Sequence, residues 1–142
     1  MRLVVDASVA VKWFLNATPG EDDADEALAI LAGAVAGAHA LFQPPHFVAE
    51  VAAVLSRLKP DQAPTDVADL QLVGFERCES PAIYASALRL AVRHGQHVFD
   101  TLYHAVALLT PDALLVTADR RYFAKAGGEG RIVMLSDFEQ EL

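Results

Sequence analysis

The apolar positions of this chain change their period repeatedly, and each change marks the boundary of a short strand or a longer helix. Leu3-Val-Val is an all-apolar run of strand length closed by Asp6, after which residues 7 to 15 shift to a helix-compatible pattern ending near Asn16. Residues 21 to 38 open on Glu21, Asp22, Asp23, Asp25 and Glu26 and then turn Ala- and Leu-rich. This is the pattern of a helix whose acidic first turn complements its dipole. Ala40-Leu-Phe-Gln reads as a short strand, and Pro44-Pro45 as the start of a helix running to about Leu58, with Pro60 and Pro64 ending it. Within that helix Phe47, Val51, Val54, Leu55 and Leu58 form one stripe, and Glu50 sits mid-helix on the stripe's edge. Further helices are predicted from Thr65-Asp66 to about Phe75 and from Ser80-Pro81 to His94, with Gly95 as the stop. Asp100 opens another, with Leu102, Val106 and Leu109 at helical spacing. Ala113-Leu-Leu-Val-Thr and Arg131-Ile-Val-Met-Leu read as strands, and Ser136 with Glu139 has capping-box spacing for a short terminal helix. Strands alternating with helices imply the α/β class: a central parallel sheet flanked by helices on both faces.

Composition narrows this picture. A chain of 142 residues with 54% hydrophobic content fits one domain, residues 1 to 142, and Pro19-Gly20 is a loop too short to link two. Eleven basic against nineteen acidic residues give a net charge of −8, which argues against a broad electropositive surface for nucleic acid. Any such contact must be local or metal-mediated. The single Cys78 cannot form an internal disulfide, so a reducing compartment, the cytoplasm, is expected. Asp6 and Lys12 interrupt what would be the hydrophobic region of a signal peptide. Ala27 to Phe42 falls short of the roughly 18 residues a membrane span needs, so no membrane association is expected.

The candidate chemistry lies in four carboxylates far apart in sequence. Asp6 follows the first strand, Glu50 lies in a helix, Asp100 opens one, and Asp119 follows Leu114-Leu-Val-Thr-Ala. Open α/β sheets gather such strand ends and helix starts at one edge, where their ligands bind. Carboxylates brought together repel one another, so the cluster is tolerable mainly with a cation or with retained protons. Oxygen-only donors suit Mg²⁺ or Mn²⁺, which leave coordination sites for a phosphodiester and an attacking water. Each residue also has a plainer reading. Asp6, Asp100 and Asp119 could be helix N-caps, and Glu50 could pair with Arg57. Among His39, His46, His94, His97 and His104, no pair has the four-residue spacing of a zinc helix motif. His104 shares a helical face with Asp100, or else packs against a neighbouring subunit. Lys12, Arg120 and Arg121 flank the motif residues as candidate phosphate contacts, or as ordinary solvated charge.

Four segments in order carry a resemblance over nearly the whole chain: Val4-Val-Asp-Ala-Ser-Val, Pro45-His-Phe-Val-Ala-Glu-Val-Ala-Ala-Val-Leu, Val98-Phe-Asp-Thr-Leu-Tyr-His-Ala-Val-Ala-Leu and Leu115-Val-Thr-Ala-Asp-Arg-Arg-Tyr-Phe. Together they resemble the PIN-domain ribonucleases, and within them the VapC-type toxins of toxin–antitoxin pairs. The resemblance implies a PIN-like fold and a metal-dependent endoribonuclease. Asp6, Glu50, Asp100 and Asp119 would be its metal-binding and catalytic residues, with Ser8 and Thr117 in support. It also implies RNA as substrate, a homodimer, and a cognate antitoxin whose tail covers the groove. Ala53 stands where many relatives carry Asn, a departure that bears on a supporting contact and leaves the metal site untouched.

Three rival readings remain. An aspartyl phosphotransferase of the haloacid-dehalogenase kind would need Asp-x-Asp, and Ser8 occupies the second position. A signalling receiver would carry a Lys-Pro-like element after a late strand, where this chain has Leu135-Ser-Asp. The third is a catalytically silent PIN-like module that binds a partner protein.

Overall fold

In the computed structural model, which describes residues 1 to 15 and 17 to 139, five parallel strands form one sheet. They are β1 (Arg2–Val5), β2 (Ala40–Gln43), β3 (Phe75–Arg77), β4 (Ala113–Thr117) and β5 (Ile132–Met134), in the order β3-β2-β1-β4-β5. The helices are α1 (Ala7–Ala10), α2 (Lys12–Leu15), α3 (Ala24–Val35), α4 (Phe47–Leu58), α5 (Ala63–Leu72), α6 (Pro81–His94), α7 (Val98–Leu109) and α8 (Arg120–Ala126). They cover both faces of the sheet, as expected, and α7 packs across β1, β2 and β4. Leu3, Val4 and Val5 are fully buried, which explains why β1 is apolar at three successive positions rather than at alternate ones.

The strand order reverses direction at β1. The chain moves from β1 outward to β2 and β3, then returns to the other side for β4 and β5, so the carboxyl ends of β1 and β4 adjoin at the switch point. Val5 pairs with Val116, and the Asp6 N–H donates to the Val116 carbonyl at 3.0 Å. Asp6 and Asp119 therefore leave neighbouring strands at the crevice where such sheets bind ligands.

The element boundaries depart from the sequence pattern in several places. The helix expected after Asp6 is broken at Val11 into α1 and α2, and Asn16 lies outside the described residues. The acidic run from Glu21 is mostly loop, with only Asp25 and Glu26 in the first turn of α3. Pro44 and Pro45 precede α4, whose N-cap is His46, and Pro64 opens α5 instead of ending α4. Glu50 accordingly lies in the first turn of α4 and not mid-helix. Phe75 belongs to β3, an unexpected edge strand that exists by pairing with Leu41 to Gln43, a tertiary contact that local propensity does not announce. The expected terminal helix is a 3₁₀ turn over Leu135–Asp137, and residues beyond Glu139 lie outside the description. Gly95 stops α6 with φ 63°, a left-handed conformation that glycine adopts without steric cost.

A second 3₁₀ turn, Gly127–Glu129, is tied to α6 by charge. The Glu129 Oε1 lies 3.2 Å from His94 Nε2, 2.8 Å from Arg93 Nη1 and 3.5 Å from Arg89 Nη1. The hydrogen bonds from His94 and Arg93, with the charges of Arg93 and Arg89, hold its carboxyl down at about 2. A depressed acid stabilises the fold fully above its unfolded value near 4.5, and that contribution is lost as pH falls toward 2. Wild-type protein should therefore lose more stability between about pH 5 and about pH 2 than Glu129→Gln does, as read from urea midpoints. Equal losses in the two proteins would show that the cluster adds nothing.

Candidate functional site

Each of the four carboxylates is positioned by a different local device. Asp6 caps α1: its Oδ2 accepts from the Ser8 N–H at 3.1 Å and from the Ser8 hydroxyl. The same Ser8 hydroxyl oxygen accepts from the Ala118 N–H at 3.0 Å, so Ser8 ties the end of β1 to the segment leaving β4. Asp119 caps α8, its Oδ1 accepting from the Tyr122 N–H at 3.0 Å. Thr117, fully buried, accepts from the Asp119 N–H through Oγ1 at 3.1 Å. Asp6 and Asp119 are thus helix caps and edge carboxylates at once. Asp100 is no cap; His97 holds that position, and Asp100 projects from the first turn of α7.

Glu50 is held by aromatic neighbours rather than by Arg57. Its Oε2 lies 3.3 Å from His46 Nε2, and its Oε1 accepts from the Tyr103 hydroxyl at 3.5 Å. His46 Nε2 also donates to the Phe99 carbonyl at 2.7 Å; because a carbonyl only accepts, this bond places a proton on Nε2. The His46 ring packs on Tyr103 and Phe99 at centroid distances of 4.9 and 5.4 Å. Burial first, and then the Glu50 charge, push the Tyr103 phenol well above its usual range, so it stays a donor.

The electrostatics link the four into one set. Burial pushes the Asp6 carboxyl up to about 7, opposed by its bonds to Ser8 and reinforced by the charges of Glu50 and Asp100. Burial likewise raises Asp100, helped by Glu50 and Asp119. Among the described residues no Lys or Arg forms an ion pair with any of the four, and His46 is their only ion-pair partner. Nor do any three His, Cys, Asp or Glu side chains among the described residues form a ready-made metal cage. The donor set nevertheless fits a hard divalent cation. The four carboxylates offer only oxygens and have no Lys or Arg partner among the described residues, and Mg²⁺ typically takes few carboxylates directly and completes its shell with water.

Of the remaining candidates, Lys12, His104 and His39 make contacts that hold the fold. Lys12 binds Glu21 at 2.8 Å and the Asp22 carbonyl at 2.7 Å, which holds the loop before α3. Arg120 and Arg121 are exposed at the start of α8. His104 is fully buried within this chain. Its Nε2 donates to the Gly130 carbonyl at 2.8 Å, leaving Nδ1 to accept from the Tyr122 hydroxyl at 2.9 Å. Burial lowers its pKa, which keeps the ring neutral as this pattern requires. His39 is buried against Gly33, where an added Cβ would come within 2.3 Å of its ring.

Sequence reasoning missed Gln43, Tyr103, His46 and Phe99. Gln43 is fully buried, and its side-chain amide binds both polar groups of Val5: Oε1 accepts from the N–H and Nε2 donates to the carbonyl, each at 2.8 Å. A Gln ending a strand is unremarkable in sequence, and only the apposition of β1 and β2 gives it this role.

Comparison with known proteins adds independent findings. The PIN domain family model matches residues 3–129. Among solved structures, PAE2754 from Pyrobaculum aerophilum is 22% identical with a TM-score of 0.64, covering 96% of this chain and 90% of that one. Mycobacterium tuberculosis VapC20, a sarcin-ricin-loop-cleaving toxin, is 19% identical with a TM-score of 0.56, covering 75% and 81%. VapBC2 from Rickettsia felis, bound to a DNA fragment from its promoter, is 16% identical with a TM-score of 0.62, covering 94% and 97%. At these identities the likeness is one of fold. No curated protein matches the chain significantly.

Proposed function

The chain belongs to the PIN domain family, and from that premise we propose that it is a divalent-metal-dependent endoribonuclease, the toxin of a toxin–antitoxin pair. One observation carries the reading: Asp6, Glu50, Asp100 and Asp119 are electrostatically coupled at the sheet's switch point with no Lys or Arg ion pair to them among the described residues. These residues would hold Mg²⁺ or Mn²⁺. A divalent ion so bound supplies Lewis-acid polarisation of a phosphoryl oxygen and lowers the pKa of a coordinated water.

The chain's own groups do the rest. Ser8 and the α1 backbone aim Asp6, Thr117 and the α8 N-terminus fix Asp119, and His46 with Tyr103 orients Glu50. RNA is the substrate of this reading, and the bound cation reconciles a net charge of −8 with a polyanion. The similar structures that contain VapBC complexes support an antitoxin as partner. The exposed apolar positions Tyr84, Leu88 and Val92, four residues apart along α6, support a homodimer. No helix among the described residues is long and apolar enough to cross a membrane, and with the free thiol of Cys78 this supports action in the cytoplasm.

The test is cleavage of RNA by purified protein with Mn²⁺ or Mg²⁺, abolished by chelator and restored by the metal. Folded protein that binds no Mn²⁺ by calorimetry and cuts no RNA would instead be a silent partner-binding module.

A further inference from the structure

Phe99 is out of place for a core residue. It sits in the first turn of α7, directly before Asp100, and is 65% exposed. Solitary exposed apolar residues are ordinary, and this chain has others, so exposure alone selects nothing. Its surroundings do. Phe99 lines an open pocket of about 250 Å³ together with His46, Ala49 and Glu50. One side of its ring packs against the His46 ring, at 5.4 Å and tilted by 46°, and the bond from His46 Nε2 to its carbonyl holds its backbone. The result is a braced aromatic surface facing solvent beside a carboxylate of the candidate metal site.

Resting on the nuclease reading above, we propose that this pocket is a nucleobase subsite, in which one unpaired base next to the scissile phosphodiester stacks on Phe99. Three features choose this occupant. Glu50 belongs both to the pocket and to the carboxylate set, so whatever fills the pocket adjoins the group the metal holds, and a base is covalently attached to that phosphodiester. The pocket walls carry no Lys or Arg, so they suit a neutral planar group rather than a phosphate. Its volume of about 250 Å³ accommodates one planar ring system beside Phe99. Base–aromatic stacking tolerates every base and needs an unpaired one, so the subsite selects single-stranded over duplex segments without reading sequence.

The experiment compares wild type, Phe99→Ala and Phe99→Trp on short single-stranded oligoribonucleotides with Mn²⁺, alongside oligonucleotides abasic at each position flanking the cut. Phe99→Ala should lower kcat/KM by about 10- to 100-fold, the size of one base–aromatic stack, mainly through KM. Phe99→Trp should restore it, and Mn²⁺ binding by calorimetry should be unchanged. At one flanking position the abasic substitution and Phe99→Ala should be non-additive, an outcome that a structural role for Phe99 would not produce. Cleavage by Phe99→Ala within about twofold of wild type, or additive effects at every position, overturns the subsite while leaving the nuclease reading intact. Folded wild type that cuts no RNA with metal present overturns that reading, and the subsite with it.

Discussion

Replacing Asp6 or Asp100 with Asn is expected to lower metal-dependent RNA cleavage by at least about 10²–10³-fold, the scale of losing one preorganised electrostatic group at a reacting centre. The same variants should fold normally. Asn at position 6 still offers a side-chain oxygen to the Ser8 N–H and hydroxyl, so the cap of α1 survives the change. Each substitution also removes one negative charge from a set whose members raise one another's pKa. Metal-free Asp6→Asn should accordingly unfold at a urea midpoint no lower than that of wild type at pH 7 to 8. Added Mn²⁺ should raise the melting temperature of wild type in a concentration-dependent way, by mass action on the folded state, and raise that of the variants much less. A plain capping role for Asp6 predicts the reverse pattern: lowered stability, unaltered Mn²⁺ response and retained cleavage. Observation of that pattern would remove Asp6 from the site.

Gln43→Leu should cost roughly 2–6 kcal/mol of folding stability, because two buried backbone groups of Val5 each lose their partner at about 1–3 kcal/mol. The register explains why a side chain is needed there. Arg2 pairs with Ala40 and Leu3 with Leu41, and the β1–β2 ladder then stops while β1 continues beside β4 to Val5. The amide of Gln43 acts as the missing peptide unit, supplying one acceptor and one donor at 2.8 Å each. Leucine approximates its volume and removes both functions, so the loss is one of hydrogen bonding rather than packing. Against a total of about 5–15 kcal/mol for ordinary domains this is a large fraction. Because Val5 directly precedes Asp6, the surviving folded protein should also bind Mn²⁺ more weakly at low temperature. Urea unfolding within about 0.5 kcal/mol of wild type, the range of an inconsequential surface change, would refute the assignment.

The carboxylate set and its scaffold were largely legible in sequence, for reasons particular to each element. Leu3-Val-Val and Ala113-Leu-Leu-Val-Thr announce themselves because strands covered on both faces are apolar throughout. Ser80 and Gly95 mark the ends of α6 because caps act within a few residues of the backbone groups they satisfy. The ordered placement of Asp6, Glu50, Asp100 and Asp119 along that alternation already implied that the four would come together at one edge, as their mutual charge effects show they do. Where local chemistry was weak, the pattern misled. Pro44-Pro45 precede α4 rather than opening it, and Phe75 is paid into a three-residue edge strand by pairing with Leu41.

By itself, then, the sequence determined the fold class, the strand ends and the residues that carry charge to the switch point, because periodicity and capping are short-range. Only the tertiary structure decided that Gln43 completes β1, that His46 and Tyr103 hold Glu50, that His104 is a core tie to Gly130, and that Phe99 faces an open pocket. Apart from the contact between His46 and Glu50, four residues apart, those roles join residues 26 to 53 positions apart. They come into being when packing sets which faces of β1, α4 and α7 meet, and no local pattern within any one of those segments encodes that meeting.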